Sequence, residues 1–298
     1  MGRVAVDYRF QRLPSAFRYF PRAVFARRVA LVPEGRSVSR LQGSAEIVRT
    51  RREHLARYRR VCGFDDDGLL PVTYPHVLAG PLQMALLTHK RFIVRLLGLI
   101  HVANEIHQIR PLPEGGTYRT RAWIEGFRDG DRGHEFDLFT EFEDRHGTAW
   151  HEKTTLLARR AASGGQAARS ARQTLRYEKA TDDDTPAKAV IEAPISVGRR
   201  YGWISRDLNP IHLSDRGARL FGFPAAVAHG MWSMARSLAA LGAAPLAPPV
   251  RVHVDFKLPM FLPSTAQLEH WLRDGRKVFV LRDGEGQRPH LAGSTRPG

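Results

Sequence analysis

The sequence contains a single cysteine, Cys62, among its 298 residues. One thiol can form neither a disulfide within the chain nor a multi-thiolate metal site, and it is typical of a reducing compartment. No uninterrupted apolar run reaches the roughly 18–20 residues of a membrane span, and the longest candidate, residues 92–100, is broken by Arg95. The first residues also lack the apolar core and cleavage site of a secretory signal. We therefore expect a soluble, cytoplasmic protein with no membrane span.

Lysine is scarce as well, with 6 lysines against 40 arginines in a chain of net charge +16. The excess is concentrated in residues 1–60, which contain 15 arginines and 4 acidic residues. A basic surface attracts nucleic acids, anionic small molecules or acidic proteins. The sequence has no helix-turn-helix, zinc knuckle or aromatic-plus-basic strand that would read nucleic acid. It therefore argues against a nucleic-acid partner and favours anionic ligands or acidic protein partners.

Several motifs of common enzyme classes are absent. There is no Gly-x-Ser-x-Gly elbow, no glycine-rich phosphate loop and no dinucleotide fingerprint. The acidic residues at 65–67 and at Asp129 and Asp131 lack the spacing of a calcium loop, so they are predicted to be solvated loops. The sequence predicts neither a bound metal nor a cofactor.

The first half of the chain shows an arginine-rich arm over residues 1–45 and a helical pattern over 45–62. A buried helix is predicted over residues 77–87. The apolar pattern then changes to a period of two, which is typical of strands. Four strands separated by turn-rich breaks are predicted at residues 99–109, 117–127, 135–143 and 148–158.

The second half repeats this plan after a linker over residues 161–188 that is rich in Ala, Gly, Ser and Arg. An apolar helix is predicted over 227–241, and residues 250–258 alternate without a fault between apolar and polar side chains. The remaining elements are a short helix at 214–221 and strands at 189–197, 267–272, 278–281 and 288–292.

A buried helix followed by antiparallel strands thus occurs twice. A helix wrapped by a curved antiparallel sheet is an α+β architecture, and its duplication within one chain gives a pseudo-dimer. The predicted domains are the arm over 1–45, a first repeat over 46–160, the linker over 161–188 and a second repeat over 189–298. The alternative is a pair of unrelated α+β domains.

The residues suited to chemistry lie at the start of the second repeat. Asp207 and His212 are five residues apart, a spacing that places them on one face of neither a helix nor a strand. Asn209-Pro210 between them is a turn signal, and a chain reversal there can bring the carboxylate and the imidazole to one site. Such a pair can hold a water molecule and move its protons near neutral pH.

A second feature follows downstream, where Ala228-His229-Gly230 opens a helix. The first backbone N–H groups of a helix lack internal partners and lie at the positive end of its dipole. A glycine there allows a ligand to approach closely. This helix start is suited to stabilising a developing oxyanion.

Together these residues resemble the MaoC-like hydratase/dehydratase family, which includes the (R)-specific enoyl-thioester hydratases. The family pattern is Ser-x-Asp-x-Asn-Pro-x-His, then an Ala and Gly-Phe stretch, then Ala-His-Gly-Met. In this sequence it corresponds to residues 205–212, Ala218 with Gly222-Phe223, and residues 228–231. The first half of the chain lacks the Ser-x-Asp-x-Asn-Pro-x-His motif.

The resemblance implies a double hot-dog fold without a cofactor. It also implies that Asp207 and His212 are the catalytic pair and that the N–H of Gly230 is the oxyanion donor. Ser205, Asn209 and His229 are expected to contribute to oxyanion or substrate binding, with His229 more suited to starting the helix than to acting as a base. The sequence departs from the family at Arg206, a cation that could be drawn onto Asp207 and lower its basicity.

The implied activity is the reversible hydration of 2-enoyl thioesters and dehydration of (R)-3-hydroxyacyl thioesters, with the first repeat shaping an acyl tunnel. The thioester carrier is either coenzyme A or an acyl carrier protein, and the sequence allows a homodimer. Two alternatives from other classes are a hot-dog acyl-thioesterase and a non-catalytic protein that binds acyl groups or nucleic acid.

Overall fold

A computed structural model describes residues 6–36, 38–160 and 176–298, and the strands in these ranges form one continuous sheet. The first six strands are β1 (Val6–Arg12), β2 (Leu41–Arg49), β3 (Leu99–Gln108), β4 (Thr117–Gly130), β5 (Gly133–Asp144) and β6 (Gly147–Arg159). The others are β7 (Ala187–Ala193), β8 (Val250–Phe256), β9 (Ser264–Arg273), β10 (Arg276–Asp283) and β11 (Pro289–Pro297).

Seven α-helices accompany the sheet within the described ranges, together with short 3-10 helices at Ala16–Arg18 and Ala244–Leu246. The α-helices are α1 (Phe20–Phe25), α2 (Arg52–Cys62), α3 (Tyr74–Leu87), α4 (Val197–Ser205), α5 (Pro210–Leu213), α6 (Asp215–Arg219) and α7 (Gly230–Ala240). Local sequence sets their ends. Gly63 ends α2 in the left-handed region, with φ of 80°, and Pro75 fits the first turn of α3, where its missing N–H has no intrahelical acceptor to lose.

The order of the strands shows that the fold is duplicated. The sheet runs β1-β2-β4-β5-β6-β3-β8-β11-β10-β9-β7, so the five strands after β1 and the last five follow the same plan in reverse. The two halves meet where β3 pairs antiparallel with β8, and Asn104 lies opposite Val254 there. The predicted α+β architecture with two related repeats is confirmed, and two unrelated domains are not.

The repeats also share one hydrophobic core. Helices α3 and α7 are the central helices of the first and second repeat, and the same buried cluster contains Val77 of α3 and Leu238 of α7. Trp232 of α7 is buried in this cluster, and its indole N–H donates a 2.9 Å hydrogen bond to the carbonyl of Val61 in α2. Neither repeat therefore completes its core without the other.

Most predicted strands are observed with small changes at their ends. The four strands predicted in the first half correspond to β3–β6, and the prediction at 250–258 corresponds to β8. The short pattern at 288–292 extends to Pro297 as β11, and the strand predicted at 189–197 is observed as β7, which ends at Ala193. The helix predicted over 227–241 begins at Gly230, and the helix predicted over 77–87 begins earlier, at Tyr74.

The helical prediction over 45–62 is wrong in its first part, because β2 continues to Arg49 and α2 begins only at Arg52. The pairing of β2 with β4 shifts register between Ala45 and Val48, both of which are buried. Such an irregularity breaks the two-residue alternation by which a strand is recognised in sequence.

The same observation corrects the boundary of the predicted arm over 1–45. Residue 45 lies inside β2, which is the counterpart of β7 and belongs to the first repeat. Strand β1 pairs in parallel with β2, with Tyr8 opposite Gly43, so the arm contributes a strand to the sheet. Residues 1–5 of the arm, its residue 37 and residues 161–175 of the predicted linker lie outside the described residues, and the linker's last two residues belong to β7.

No helix in the described ranges combines the length and apolar character that crossing a bilayer requires.

Removing the first repeat tests whether the second is an independent unit. A fragment of residues 176–298 should self-associate or unfold, because β8 would lose β3 and the indole of Trp232 would lose its acceptor at Val61. Sedimentation velocity and circular dichroism of the fragment beside the full chain measure this. A monomeric fragment that unfolds cooperatively would show that the shared core is dispensable.

Candidate active site

The catalytic loop, defined here as residues 205–212, reverses the chain between α4 and α5. Arg206 caps the end of α4 in the left-handed region, with φ of 64°. Asn209 then caps α5, since its side-chain Oδ1 accepts a 3.4 Å hydrogen bond from the N–H of Ile211. The reversal brings Oδ2 of Asp207 to 3.9 Å from Nε2 of His212, so the structure brings together the predicted acid–base pair.

Two glycines on one face of α4 allow the loop to approach the helix closely. A Cβ atom on Gly198 would overlap the carbonyl group of His212, and one on Gly202 would lie 2.9 Å from the carbonyl oxygen of Asp207. Any larger residue would push the loop away from α4. The role of these two glycines was not predicted, although their Gly-x-x-x-Gly spacing, about one helical turn, is present in the sequence.

The orientation of His212 is fixed by a backbone acceptor. Its Nδ1 lies 2.7 Å from the carbonyl oxygen of Val227. Because a carbonyl only accepts hydrogen bonds, Nδ1 holds the proton and a neutral ring leaves Nε2 free to accept one. The basic nitrogen of His212 therefore faces Asp207, as proton transfer requires.

His229 supports this arrangement from the start of α7. Its buried ring stacks on that of His212, with centroids 3.7 Å apart, and its Nε2 donates a 3.0 Å hydrogen bond to the carbonyl of Asp207. Burial, together with the adjacent His212, lowers the pKa of His229 well below its usual value, so the ring is neutral at physiological pH. His229 holds the loop and the His212 ring, while its predicted contribution to oxyanion or substrate binding stays a prediction.

The carboxylate of Asp207 is half-exposed, and its Oδ1 accepts a 3.2 Å hydrogen bond from the N–H of Asn209. Partial burial acts to raise the pKa of Asp207, but the adjacent imidazoles of His229 and His212 and this N–H outweigh it and lower the pKa below its usual value. Asp207 is therefore ionised near neutral pH.

Ser205 and Asn209 shape the loop around Asp207. The hydroxyl of Ser205 accepts from the N–H of Asp207 at 3.3 Å and donates to the carbonyl of Tyr201 at 2.9 Å. Asn209 caps α5 with its side chain, and its backbone N–H donates a hydrogen bond to the Asp207 carboxylate. Both contacts position the acid; substrate binding by these two residues stays a prediction.

Gly230 is the first residue of α7, a helix of 11 residues. Its N–H has no acceptor within the helix and lies at the positive end of the helix dipole. A Cβ at this position would meet the ring of Phe256 at 3.0 Å, so the space beside this N–H accommodates only glycine without movement of the ring.

Asp207, His212 and His229 are close enough to raise the question of a metal ion, since one ligand atom from each lies within 4.8 Å of the others. Nε2 of His229, the nitrogen that faces Asp207, has no lone pair free for a metal, because it holds the proton that it donates to the carbonyl of Asp207. The hydrogen bonds therefore suit an acid–base pair with a supporting imidazole better than a set of metal ligands.

The first repeat contributes a buried ion pair that sequence analysis did not identify. Nδ1 of His76 lies 2.9 Å from the carboxylate of Glu152, which also accepts a 2.7 Å hydrogen bond from Nδ2 of Asn104. Glu152 and Asn104 are fully buried. Gly80, one turn beyond His76 in α3, approaches the carbonyl of Ser205, so this face of α3 is directed towards the catalytic loop. The sequence contained one sign of this pair: Glu152 lies two positions after Trp150 and so on the same, inward face of a predicted strand, where an acidic residue is unusual.

Comparison with known proteins identifies relatives of this arrangement. A family model described as a MaoC like domain matches residues 179–293. The 3-hydroxyacyl-thioester dehydratase X of Mycobacterium tuberculosis is 34% identical over 243 residues, which are 82% of this chain and 84% of that protein.

Solved structures show the same fold. The crystal structure of HtdX from M. tuberculosis matches with a TM-score of 0.73 and 32% identity, covering 86% of this chain and 99% of that chain. Another M. tuberculosis protein, described as having a double hotdog fold, matches with a TM-score of 0.52 and 12% identity over 84% of this chain and 92% of that chain. The predicted pair of hot-dog repeats is confirmed.

Substituting Gly198 by Ala tests the close approach of the catalytic loop to α4. The added methyl group would displace the backbone of His212, and we expect destabilisation by about 1–3 kcal/mol and a loss of turnover of about 100-fold. Gly130→Ala is the control, because a Cβ at Gly130 meets nothing closer than 3.9 Å. Urea unfolding and steady-state kinetics measure both effects, and an active Gly198→Ala variant would contradict the role given to the glycine.

The pH dependence of stability tests the buried ion pair. Burial alone lowers the pKa of His76, but Glu152 outweighs it and raises the pKa above its usual value. This stabilisation is therefore complete below the unfolded pKa, about 6.5, and is lost as pH rises through the folded pKa. In Glu152→Gln, burial of His76 is opposed only by the weaker attraction of Asp207, so the contribution of His76 to stability should instead increase towards pH 6.5.

Urea unfolding between pH 5.5 and 8.5 measures this difference in slope. Glu46→Gln removes a partly exposed partner of Arg119 and should leave the slope unchanged. Parallel stability curves for the wild type and Glu152→Gln would show that the pair does not influence folding.

Proposed function

The chain belongs to the MaoC-like dehydratase family of hydro-lyases, and we propose that it reversibly hydrates 2-enoyl thioesters and dehydrates (R)-3-hydroxyacyl thioesters. The observation behind the proposal is the pairing of Asp207 with Nε2 of His212 at 3.9 Å, beside the free N–H groups that open α7. The relationship to a 3-hydroxyacyl-thioester dehydratase supports the same reaction.

The chemical difficulty is the very weak acidity of the proton next to a thioester carbonyl. Its removal or addition passes through an enolate-like transition state with negative charge on the carbonyl oxygen. We assign the stabilisation of that charge to the N–H of Gly230 and the dipole of α7. Comparable oxyanion donors contribute about 3–4 kcal/mol.

In the hydration direction, Asp207 and His212 hold one water molecule between them. Nε2 of His212 is free to accept a proton because Nδ1 is bonded to Val227. As the water oxygen attacks Cβ, its proton passes to the pair, and the pair returns a proton to Cα. Dehydration is the reverse, with a proton taken from Cα and one delivered to the departing hydroxyl group.

The first repeat has a separate part in the proposal. Gly80 of α3 lies against the carbonyl of Ser205, so α3 forms the wall facing the catalytic loop. We assign to this repeat the covering of the acyl chain. The carrier of the thioester is coenzyme A or an acyl carrier protein.

Replacing the acid–base pair tests the assignment. Asp207→Asn and His212→Ala should each remove most activity and leave the circular dichroism spectrum unchanged. The double variant should lose little more than the worse single variant, because the two groups act as a unit. The measurement is the loss of enoyl absorbance with crotonyl-CoA, alongside detection of free thiol.

A matched control exists on β8, where Asp255 and His253 form an exposed pair 3.4 Å apart. Asp255→Asn and His253→Ala should retain turnover. Near wild-type hydration by Asp207→Asn or His212→Ala would overturn the assignment, and release of thiol without loss of the double bond would identify a thioesterase.

A further inference from the structure

A cavity of about 430 Å³ lies directly beside the catalytic loop, and we call it the arginine cavity. It is formed by α2 of the first repeat together with α4 and the start of the loop in the second. Its lining includes Arg57, Arg60, Arg200, Trp203 and Arg206. Its volume falls within the range of small-molecule sites, roughly 300–1,000 Å³.

The cavity is strongly positive. None of its lining residues is acidic. Arg57 has a partner in Glu53 at 3.7 Å, and both side chains are exposed, where an ion pair is worth little. Across residues 6–36, 38–160 and 176–298, Arg60, Arg200 and Arg206 form no salt bridge with a carboxylate. Four guanidinium groups whose positive charge is so little neutralised by carboxylates attract an anion. The planar guanidinium also matches the geometry of a phosphate.

An aromatic surface borders these cations. Trp203 is 56% exposed although it belongs to α4, whose Tyr201 and Ile204 are buried. The ring of Phe17 lies 6.4 Å from that of Trp203. An exposed indole next to arginines offers a stacking platform for a planar base.

The position of Arg206 joins the cavity to the chemistry. Arg206 adopts the left-handed conformation that non-glycine residues rarely use, and its guanidinium lies 5.1 Å over the ring of Phe17. The sequence predicted that this cation could be drawn onto Asp207. In the structure Arg206 forms no salt bridge with Asp207 and lines the arginine cavity instead. The residue before the proposed acid thus contributes a cation to the cavity.

We propose that the arginine cavity binds the phosphate groups of the pantetheine-based carrier that presents the acyl thioester, with the base of a nucleotide carrier stacked on Trp203. This inference rests on the proposed function, because it names the carrier for that reaction. Phosphate is common to coenzyme A and to the phosphopantetheine of an acyl carrier protein. The two sources differ in the adenine ring, which only coenzyme A would place on the indole.

The test compares crotonyl thioesters that differ only in their carrier: pantetheine, 4′-phosphopantetheine, 3′-dephospho-CoA, CoA and acyl carrier protein. For the wild type we expect KM to fall at least tenfold from pantetheine to CoA, with little change in kcat. The Arg60→Ala, Arg200→Ala double variant should raise KM about tenfold for every phosphorylated carrier and leave pantetheine unchanged. Trp203→Ala should raise KM only for CoA and 3′-dephospho-CoA.

A matched control removes the same charge elsewhere. Arg251 on β8 and Arg288, just before β11, are exposed and do not line the cavity. The Arg251→Ala, Arg288→Ala double variant should therefore keep the wild-type ratio of KM values. Equal KM for pantetheine and CoA in the wild type would overturn the proposal, as would an unchanged ratio in the cavity variant. A third outcome is that KM reaches its lowest value already with the phosphopantetheine and acyl carrier protein thioesters and is unchanged by Trp203→Ala. That result supports the phosphate site and identifies the carrier as an acyl carrier protein.

A binding measurement separates this inference from the proposed function. Unacylated CoA should bind the wild type in calorimetry, and the Arg60→Ala, Arg200→Ala variant should bind it at least tenfold more weakly. If no thioester is hydrated but this difference is found, the reaction fails and the cavity assignment stands. If thioesters are hydrated and CoA binds both proteins equally, the cavity assignment alone fails.

Discussion

The structure depends on the close approach of the catalytic loop to α4. With hydrogen atoms as the side chains of Gly198 and Gly202, the carbonyl groups of His212 and Asp207 lie directly against the helix. Interiors are packed so tightly that a single methyl group is felt. These two contacts therefore fix the separation of the acid from the imidazole. The orientation of the two groups is then set by the hydrogen bond that His212 donates to the carbonyl of Val227 and by those that His229 and Asn209 donate to Asp207.

Both repeats hold that loop. Nε2 of His54, in the first repeat, donates a 2.9 Å hydrogen bond to the carbonyl of Ile204, and the hydroxyl of Tyr74 bonds its other nitrogen at 2.7 Å. Gly80 contacts the carbonyl of Ser205 from α3. The repeat without the acid–base motif is thus part of the support for the repeat that contains it, which is consistent with their shared core.

Periodicity alone predicted nearly all strands from Leu99 onward, since each buries one face of a continuous sheet. Strand β2 was missed because the irregularity between Ala45 and Val48 removes the period. The acid–base pair was visible because Asn209-Pro210 forces a local turn. The contact of His76 with Glu152 and the approach of Gly198 to His212 join residues distant in sequence or on different elements, so only tertiary structure reveals them.

The seam between β3 and β8 has an evolutionary consequence. In a dimer of two identical chains, a residue on the twofold axis must face its own copy, so any polar group placed there occurs twice. Here Asn104 faces Val254 instead, and the Asn104 amide donates a hydrogen bond to Glu152 in the first repeat only. Joining the halves in one polypeptide allows each position to differ between them, so that the first repeat can carry the contacts of Asn104 and His76 with Glu152 without a copy of them being imposed on the second.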